Sequence, residues 1–422
     1  MDHTSVDVKK LAYSLRGQFE TLNFLSEDCC IYRVPSKFRI LNKTPYTPTV
    51  VSIGPLHHGR EELKPMQEHK LRYLQQFLKH TSVSIEDFLT FIGGKETALR
   101  NCYAETINIA SEEFIQMILL DAVFLLEIFF RCIPEFHNVD RIFRKPGMIK
   151  DIVFDMLLVE NQLPMFILQD LFMLARHDLP NTFKNYSLCQ FINIFFQYYV
   201  CRDIWMHETT LIESNFPEAK HFVDLFRLCL RPQNRKDTER CLVDSEAAPN
   251  VRRLHQFGIE FKVASTKNLL DIQFLSEKKI LEIPKLTISN MTVHLLRNLR
   301  MFEELHCDTN YVNDYGVFLN RLLRTPKDVE LLTEMGVIEN RILDSKGVST
   351  LFQELSRDAR VDIENFYYSS LVKDLRGYCE SRRHKWMANM KLNYFSISLI
   401  GVVIIFILLE FIKTVCSVIR VL

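Results

Sequence analysis

From Leu392 to Leu409 the chain reads LNYFSISLIGVVIIFILL, 18 residues without a charged side chain. As a helix rising about 1.5 Å per residue, such a run covers roughly the hydrocarbon thickness of a bilayer. Bases precede it at Arg376, Arg382, Arg383, Lys385 and Lys391, and only Lys413 and Arg420 follow it. An excess of bases on one flank marks the cytosolic side of a span. Residues 391–418 are therefore expected to form a single C-terminal transmembrane anchor. The main body is then expected on the cytosolic side of a plasma or internal membrane, with lipid touched through that helix.

The rest of the chain is expected to be mainly α. It is read as a large helical soluble region with a small β element, followed by the one C-terminal transmembrane helix. Gly is scarce at 12 and Phe abundant at 32. Few glycines disfavour Gly-rich phosphate loops and many tight β-turns, and the aromatic excess calls for a large core. Across 422 residues, 52 Lys and Arg balance 52 Asp and Glu, so there is no cationic footprint for a nucleic-acid partner. The first 20 residues mix charged and apolar side chains without a continuous apolar stretch, so no secretory signal is read there. The 11 cysteines include no C-x-x-C pair, which fits a reducing compartment better than a disulfide framework. Three N-x-S/T triplets, at Asn42, Asn185 and Asn290, would matter only on a lumenal body.

Along the chain, residues 1–27 are expected to hold an amphipathic helix, with Leu11, Leu15, Phe19 and Leu22 at helical spacing. Residues 28–390 are expected to form one mostly helical domain. It opens on an extended stretch punctuated by Pro35, Pro45, Pro48 and Pro55, and helix resumes at Pro65. The run SEEFIQMILLDAVFLLEIFFRC (111–132) is apolar enough to test as a second span. Asp121 near its middle costs about 2.5–3.5 kcal/mol on insertion scales. A core helix is therefore expected, with Ser111 as N-cap and with Asp121 needing a buried Lys, Arg or backbone N–H as partner. Pro164 breaks the next apolar run and sets Glu160-Asn161-Gln162 between two helices. Further helices are expected at 188–200, 217–230, 291–306, 311–324, 327–335 and 346–357, the fifth capped at Thr325-Pro326 and the last at Ser345. Residues 231–250 read as a mobile loop. Residues 258–289 read as the β element, with Ser276-Glu277-Lys278-Lys279 as a hairpin loop.

Signatures of known chemistry are missing: no G-x-x-x-x-G-K-S/T, G-x-G-x-x-G, G-x-S-x-G or H-E-x-x-H occurs. His57-His58-Gly59 is the sharpest local oddity. Adjacent imidazoles on an extended segment face opposite ways, so the pair does not suggest one metal. Cys29-Cys30 reads as a buried structural pair. No catalytic residue, cofactor or metal ligand is assigned. The rival reading is a membrane-surface hydrolase or transferase using His57 or His58 with Asp121 or Glu160, which requires those groups to converge.

Several blocks in order resemble one family. They are IYRVPSKFRILNKTPYTPTVVSIGPLHHG with MQEHKLRYLQQFL, then CYAETINIASEEFIQMILLDAVFLLEIF, DIVFDMLLVENQLPMFIL, LLDIQFLSEKKILEIPKLTISNMTVHLLRNLRMFEE and the terminal apolar run. Together they resemble the plant family called domain of unknown function 247, over roughly residues 28–418. Asp121-Ala122 stands where Asp-Gly is usual in that family, and Phe38 where Leu is common. The resemblance implies a plant, single-pass membrane protein with a mostly helical soluble region. It supplies no activity and no agreed catalytic residues, although His57, His58, Glu160, Asn161 and Gln162 fall on its signature positions. The expectation is a non-enzymatic protein that acts by recognising protein partners or in signalling.

Overall fold

A computed structural model describes residues 7–21, 26–39, 46–132, 140–201, 204, 209–232, 248–266, 268–357, 359, 361–362, 365–382 and 409. Helix α1 spans Val8–Thr21, and Val8, Leu11, Tyr13 and Phe19 on it are exposed. The strap that follows is described in two parts: residues 29–39, extended and then turning in a 3-10 helix at Ser36–Arg39, and residues 46–57, ending on a short 3-10 turn at Pro55–His57. Helices α2 (Pro65–His80), α3 (Ile85–Gly93), α4 (Glu96–Asn101) and α5 (Ser111–Phe130) come next. They are followed by α6 (Pro146–Met156), α7 (Met165–Ala175), α8 (Asn181–Lys184), α9 (Leu188–Tyr199), α10 (Thr209–Asn215), α11 (Phe222–Leu230) and α12 (Val251–Gln256).

Helix α5 is the axis of this half. It is apolar on every side, and such a helix must be enclosed; α2, α3, α7 and α9 pack around it. Every residue from Met117 to Phe130 is buried. Phe129 meets Phe195, Phe196 and Phe222 edge-on, while Phe130 stacks on Phe183. The aromatic excess in the composition is therefore spent where four helices must interlock at close-packed density.

After α12 the period changes to strands β1 (Glu260–Val263), β2 (Gln273–Leu275), β3 (Ile280–Ile283) and β4 (Leu286–Ile288). Strands β2 and β3 form the expected hairpin around residues 276–279, where Lys279 takes the left-handed φ of 60° that closes the turn. Strand β1 pairs with β3 in parallel. The last helices are α13 (Asn290–His306), α14 (Tyr311–Leu322), α15 (Pro326–Glu334) and α16 (Ser345–Ser356). Strand β5 (Ile338–Asn340) lies between the last two and pairs in parallel with β4, a second small sheet that the alternating pattern at 258–289 does not reveal. Thr325 and Pro326 start α15 as expected, with a reciprocal box between Thr325 and Asp328. Two expected caps shift by one residue. Ala110 precedes α5 while the Ser111 hydroxyl binds Glu96, and Asp344 rather than Ser345 caps α16.

The fold class is thus mainly α with two small sheets, and the expected transmembrane helix is corrected. Among the described residues no helix is long and apolar enough to cross a membrane. The expected anchor at 391–418 lies outside the described residues except for Leu409. The long apolar helix α5 buries Asp121 and Glu127 in protein rather than facing lipid. Residues 233–247 of the expected mobile loop also lie outside the described residues. Of the basic cluster, Arg376 pairs with Glu380 and Arg382 donates to the Phe257 carbonyl, so both are used in holding helical residues 369–382 to themselves and to the body.

Candidate functional site

Among the described residues the part of the strap from Tyr46 to His57 pairs with no strand, yet most of it is buried and its backbone must be paired. Side chains from three elements do this. Asp155, in the last turn of α6, accepts from the amides of Thr49 (2.9 Å), Val50 (2.7 Å) and Val51 (2.8 Å). Asn161 accepts from Ile53 N–H at 2.7 Å and donates to the carbonyls of Val51 and Asp155 at 3.0 Å. Lys70, on α2, donates to the Ser52 carbonyl at 2.7 Å and to the Asp121 carboxylate. Asp121 in turn accepts from Gly54 N–H at 2.8 Å. The partners expected of a buried acid at position 121, a Lys and a backbone N–H, are both present. Burial pushes the Asp121 carboxyl up, against the pull of Lys70 and Gly54 N–H, and burial raises Asp155 to about 6 against its three amide donors.

Gly54 is required where it stands. Its φ is 75°, and a Cβ there would lie 2.5 Å from the Gln162 carbonyl oxygen and 2.9 Å from the Tyr103 hydroxyl. Tyr103 donates to that same carbonyl at 3.1 Å. Gln162 donates to the carbonyls of Met156 and Leu158 at 2.7 Å and so finishes α6, whose last carbonyls have no helical donor. Its Oε1 accepts from Phe222 N–H at 3.0 Å at the start of α11. The break at Pro164 therefore exists in order to aim three consecutive side chains, Glu160, Asn161 and Gln162, at the strap and at two helix ends.

Glu160 joins its partners at the strap's two ends. It accepts from Val34 N–H, from the Arg39 guanidinium and from His57 Nε2 at 3.0 Å. Burial works to raise its pKa, but the His57, Arg39 and Val34 donors outweigh it and hold the carboxyl below its usual range. His57 is 4% exposed and Glu160 1%, and the other imidazole nitrogen, Nδ1, faces Arg60 at 3.4 Å. His58 points the other way, to Glu113 at 3.1 Å. The structure thus brings His57 to Glu160 but sends His58 and Asp121 to different partners. Among the described residues no group of three His, Cys, Asp or Glu side chains is placed to hold a metal ion.

The histidines that burial perturbs most are also backbone fasteners. His221 Nδ1 accepts from Asp224 N–H, capping α11, and its Nε2 meets the Cys30 carbonyl at 3.1 Å. Burial lowers its pKa to about 3 and that of His294 to about 4; His294 Nε2 meets the Phe154 carbonyl at 2.8 Å. Both imidazoles are neutral at physiological pH.

An open groove of about 940 Å³ lies against the outer side of the strap. It is lined by Thr47 and Thr49 of the strap, by Lys150, Asp151 and Asp155 of α6, by Arg297 of α13 and by Lys346 of α16. Within the lining, Arg297 pairs with Glu354 at 2.9 Å. Sequence reasoning missed this groove because its lining comes from four separated segments. It also missed Lys70, although a signal existed: Lys70 shares the face of Met66, Tyr73, Leu74 and Phe77, and a charge on an apolar helical stripe calls for a buried counter-charge.

Fold and site together define a class: a mainly helical protein that fastens an unpaired N-terminal strap through buried carboxylates, amides and one lysine. The chain belongs to the DUF247 family, described as plant protein of unknown function, whose family model matches residues 31–411. It is 28% identical over 387 residues to the UPF0481 protein At3g47200 of Arabidopsis thaliana, covering 85% of this chain and 78% of the relative. A second UPF0481 protein of the same plant, At3g02645, is 20% identical, covering 87% of this chain and 85% of that protein. No solved structure matches the chain.

Proposed function

We propose that this protein is a non-catalytic recognition module whose binding element is the groove between the strap, α6, α13 and α16. The observation that carries the reading is the groove itself. At about 940 Å³ it stands at the top of the size range of small-molecule pockets, roughly 300–1,000 Å³, but it is open rather than enclosing. Its charges are mixed, with Lys150, Arg297 and Lys346 set against Asp151, Asp344 and Glu354. Mixed signs suit a protein segment carrying both charges better than a polyanion, which selects one sign. The occupant is an extended peptide of a protein partner, laid along the strap.

The choice against catalysis rests on what the titratable groups are doing. His57 and Glu160 touch, but each is spent on a neighbour and closed off from solvent. A general base must reach a substrate proton directly or through one water. For His57 with Glu160 the membrane-surface hydrolase or transferase reading lacks such an opening, and His58, which lines a separate pocket, meets Glu113 instead of Asp121 or Glu160.

The test is site-specific photocrosslinking from the full chain. A crosslinker at Thr350, in the groove, is expected to capture a partner peptide, whereas one at exposed Met173 on α7 is not. Lys150→Glu combined with Lys346→Glu is expected to reduce the Thr350 capture about tenfold, the scale of 1.4 kcal/mol. Equal capture from both positions, or capture indifferent to the charge reversal, overturns the reading.

A further inference from the structure

The strap begins with a contact that the site above does not use. Ile31 pairs with Tyr103 as an isolated parallel bridge. The Ile31 amide donates to the Cys102 carbonyl at 2.9 Å, and the Ala104 amide donates to the Ile31 carbonyl at 3.0 Å. One step back in the same register, Cys30 lies opposite Cys102, and the Cys30 amide also donates to the Cys102 carbonyl at 3.0 Å. The bridge is isolated and Cys102 ends α4 with helical dihedrals (φ −71°, ψ −16°), so the backbone bond itself, not a strand ladder, sets Cys30 beside Cys102. Disulfides span Cα separations of about 4.4–6.8 Å. The pair is packed with Ile31, Leu56 and Tyr103 in a small core of its own.

We propose that Cys30 and Cys102 are a redox pair, closing to a disulfide under hydrogen peroxide and reopening with a small dithiol. The chemistry runs in two steps. The Cys102 thiolate attacks one peroxide oxygen, so that an S–O bond forms, the O–O bond breaks and hydroxide leaves, becoming water with the proton that Cys102 released on ionising. The Cys30 sulfur then attacks the Cys102 sulfenic acid; an S–S bond forms, the S–O bond breaks, and water departs with the thiol proton. Sulfur loses two electrons overall, and the peroxide is reduced to two waters.

The two sulfurs are not equivalent. The interaction between the two thiols lowers the Cys102 pKa against the effect of burial and, with burial, raises Cys30; the Cys102 S–H itself donates to the Ala98 carbonyl at 3.3 Å. Cys102 is therefore the attacking thiol and Cys30 the resolving one. Burial instead raises Cys189 to about 11 and Cys307 to about 12. Cys30 and Cys102 are only 2% and 4% exposed, so reaction waits on the strap's leading edge, residues 27 and 28, which are exposed. Closure would weld the start of the strap to the end of α4 and fix the backbone on which Glu160 and His221 act.

The experiment treats the full-length chain with hydrogen peroxide and maps cysteine linkage by mass spectrometry without reduction. A Cys30–Cys102 linked peptide, lost on adding dithiothreitol, is expected before Cys189 or Cys307 is oxidised. Cys30→Ser is expected to leave Cys102 as a sulfenic acid that dimedone traps, and Cys102→Ser to abolish both products. Three outcomes overturn the proposal: Cys30 and Cys102 still reduced after Cys189 and Cys307 are fully oxidised, a Cys29–Cys30 link in place of Cys30–Cys102, or a Cys29–Cys102 link. The wild-type map decides the question even where a serine variant fails to fold.

Discussion

The strap and the α14–α16 region solve one problem by opposite means. Both must hold chain segments against the same continuous core. Helices α14 and α16 pack against each other, with Leu355 against Gly316, and Phe318 of α14 also stacks on Tyr368 from beyond α16. The strap is instead fixed by Asp155, Asn161, Lys70, Asp121 and Glu160, each bonded to its backbone or ends. Apolar packing is non-directional and tolerates repacking. Buried polar fastening fixes a unique path, and loss of one partner leaves the other uncompensated. The strap also walls the groove, so the stricter device is placed where a binding surface needs a defined backbone.

The largest effect should separate the two devices by rescue rather than by size. Lys70→Met leaves the Asp121 charge buried without its cation, at about 3–5 kcal/mol. Phe352→Ala on α16 should cost a similar amount, about 3–5 kcal/mol, through its cavity. Adding Asp121→Leu to Lys70→Met should recover part of the first loss, because a buried ion pair replaced by apolar groups approaches neutrality. Urea unfolding of the full chain measures all three, and a double variant no more stable than Lys70→Met alone would refute the ion-pair account. Gly54→Ala comes next at about 1–3 kcal/mol, since it meets both an unfavourable φ and the Gln162 carbonyl. Spectroscopic unfolding midpoints report it.

The pH response should sharpen the contrast. Burial raises Asp155 at the strap to about 6, and Asp314 on α14, which accepts from Tyr367 N–H, to about 8. A carboxyl raised in the folded state binds more protons there than when unfolded. Stability therefore falls as pH rises from the unfolded value near 4, and levels off above the folded pKa. The strap's share of the loss is complete near pH 6, whereas that of Asp314 continues to about pH 8. Asp314→Asn should flatten the stability profile between pH 6 and 8 by on the order of 1–2 kcal/mol. An unchanged slope in denaturant titrations across that range would rule Asp314 out as its source.

How much of this was legible varies with sequence distance. The helices follow local period and punctuation, so Pro65, Thr325-Pro326 and the Pro164 break stand close to where the chain pattern puts them. The β2–β3 hairpin was legible because its loop is four residues of turn chemistry. The β4–β5 pairing was not: each strand has three residues and its partner lies beyond three helices, so register is set by tertiary packing alone. The Glu160-Asn161-Gln162 group was legible as a helix break but not as a fastener, because its targets at Val34, Ile53 and His57 lie more than 100 residues upstream. The apolar run at 391–409 shows the reverse risk. A span was inferred from length and hydropathy, and α5 shows that comparable apolarity in this chain also serves a protein core.

The smallest effect tests the local end of the comparison. Thr325 and Asp328 cap α15 reciprocally, and Asp328 also accepts from Asn250 and from Arg252 N–H. Thr325→Ala removes a single hydroxyl and leaves Asp328 its other donors, so about 1 kcal/mol is expected. Asp328→Ala also frees Arg252 N–H at the start of α12 and should cost more than Thr325→Ala. If the two variants prove equal in urea, the link between α12 and α15 is apolar packing alone. Polar fastening would then belong to the strap half of the molecule rather than recurring wherever distant segments meet.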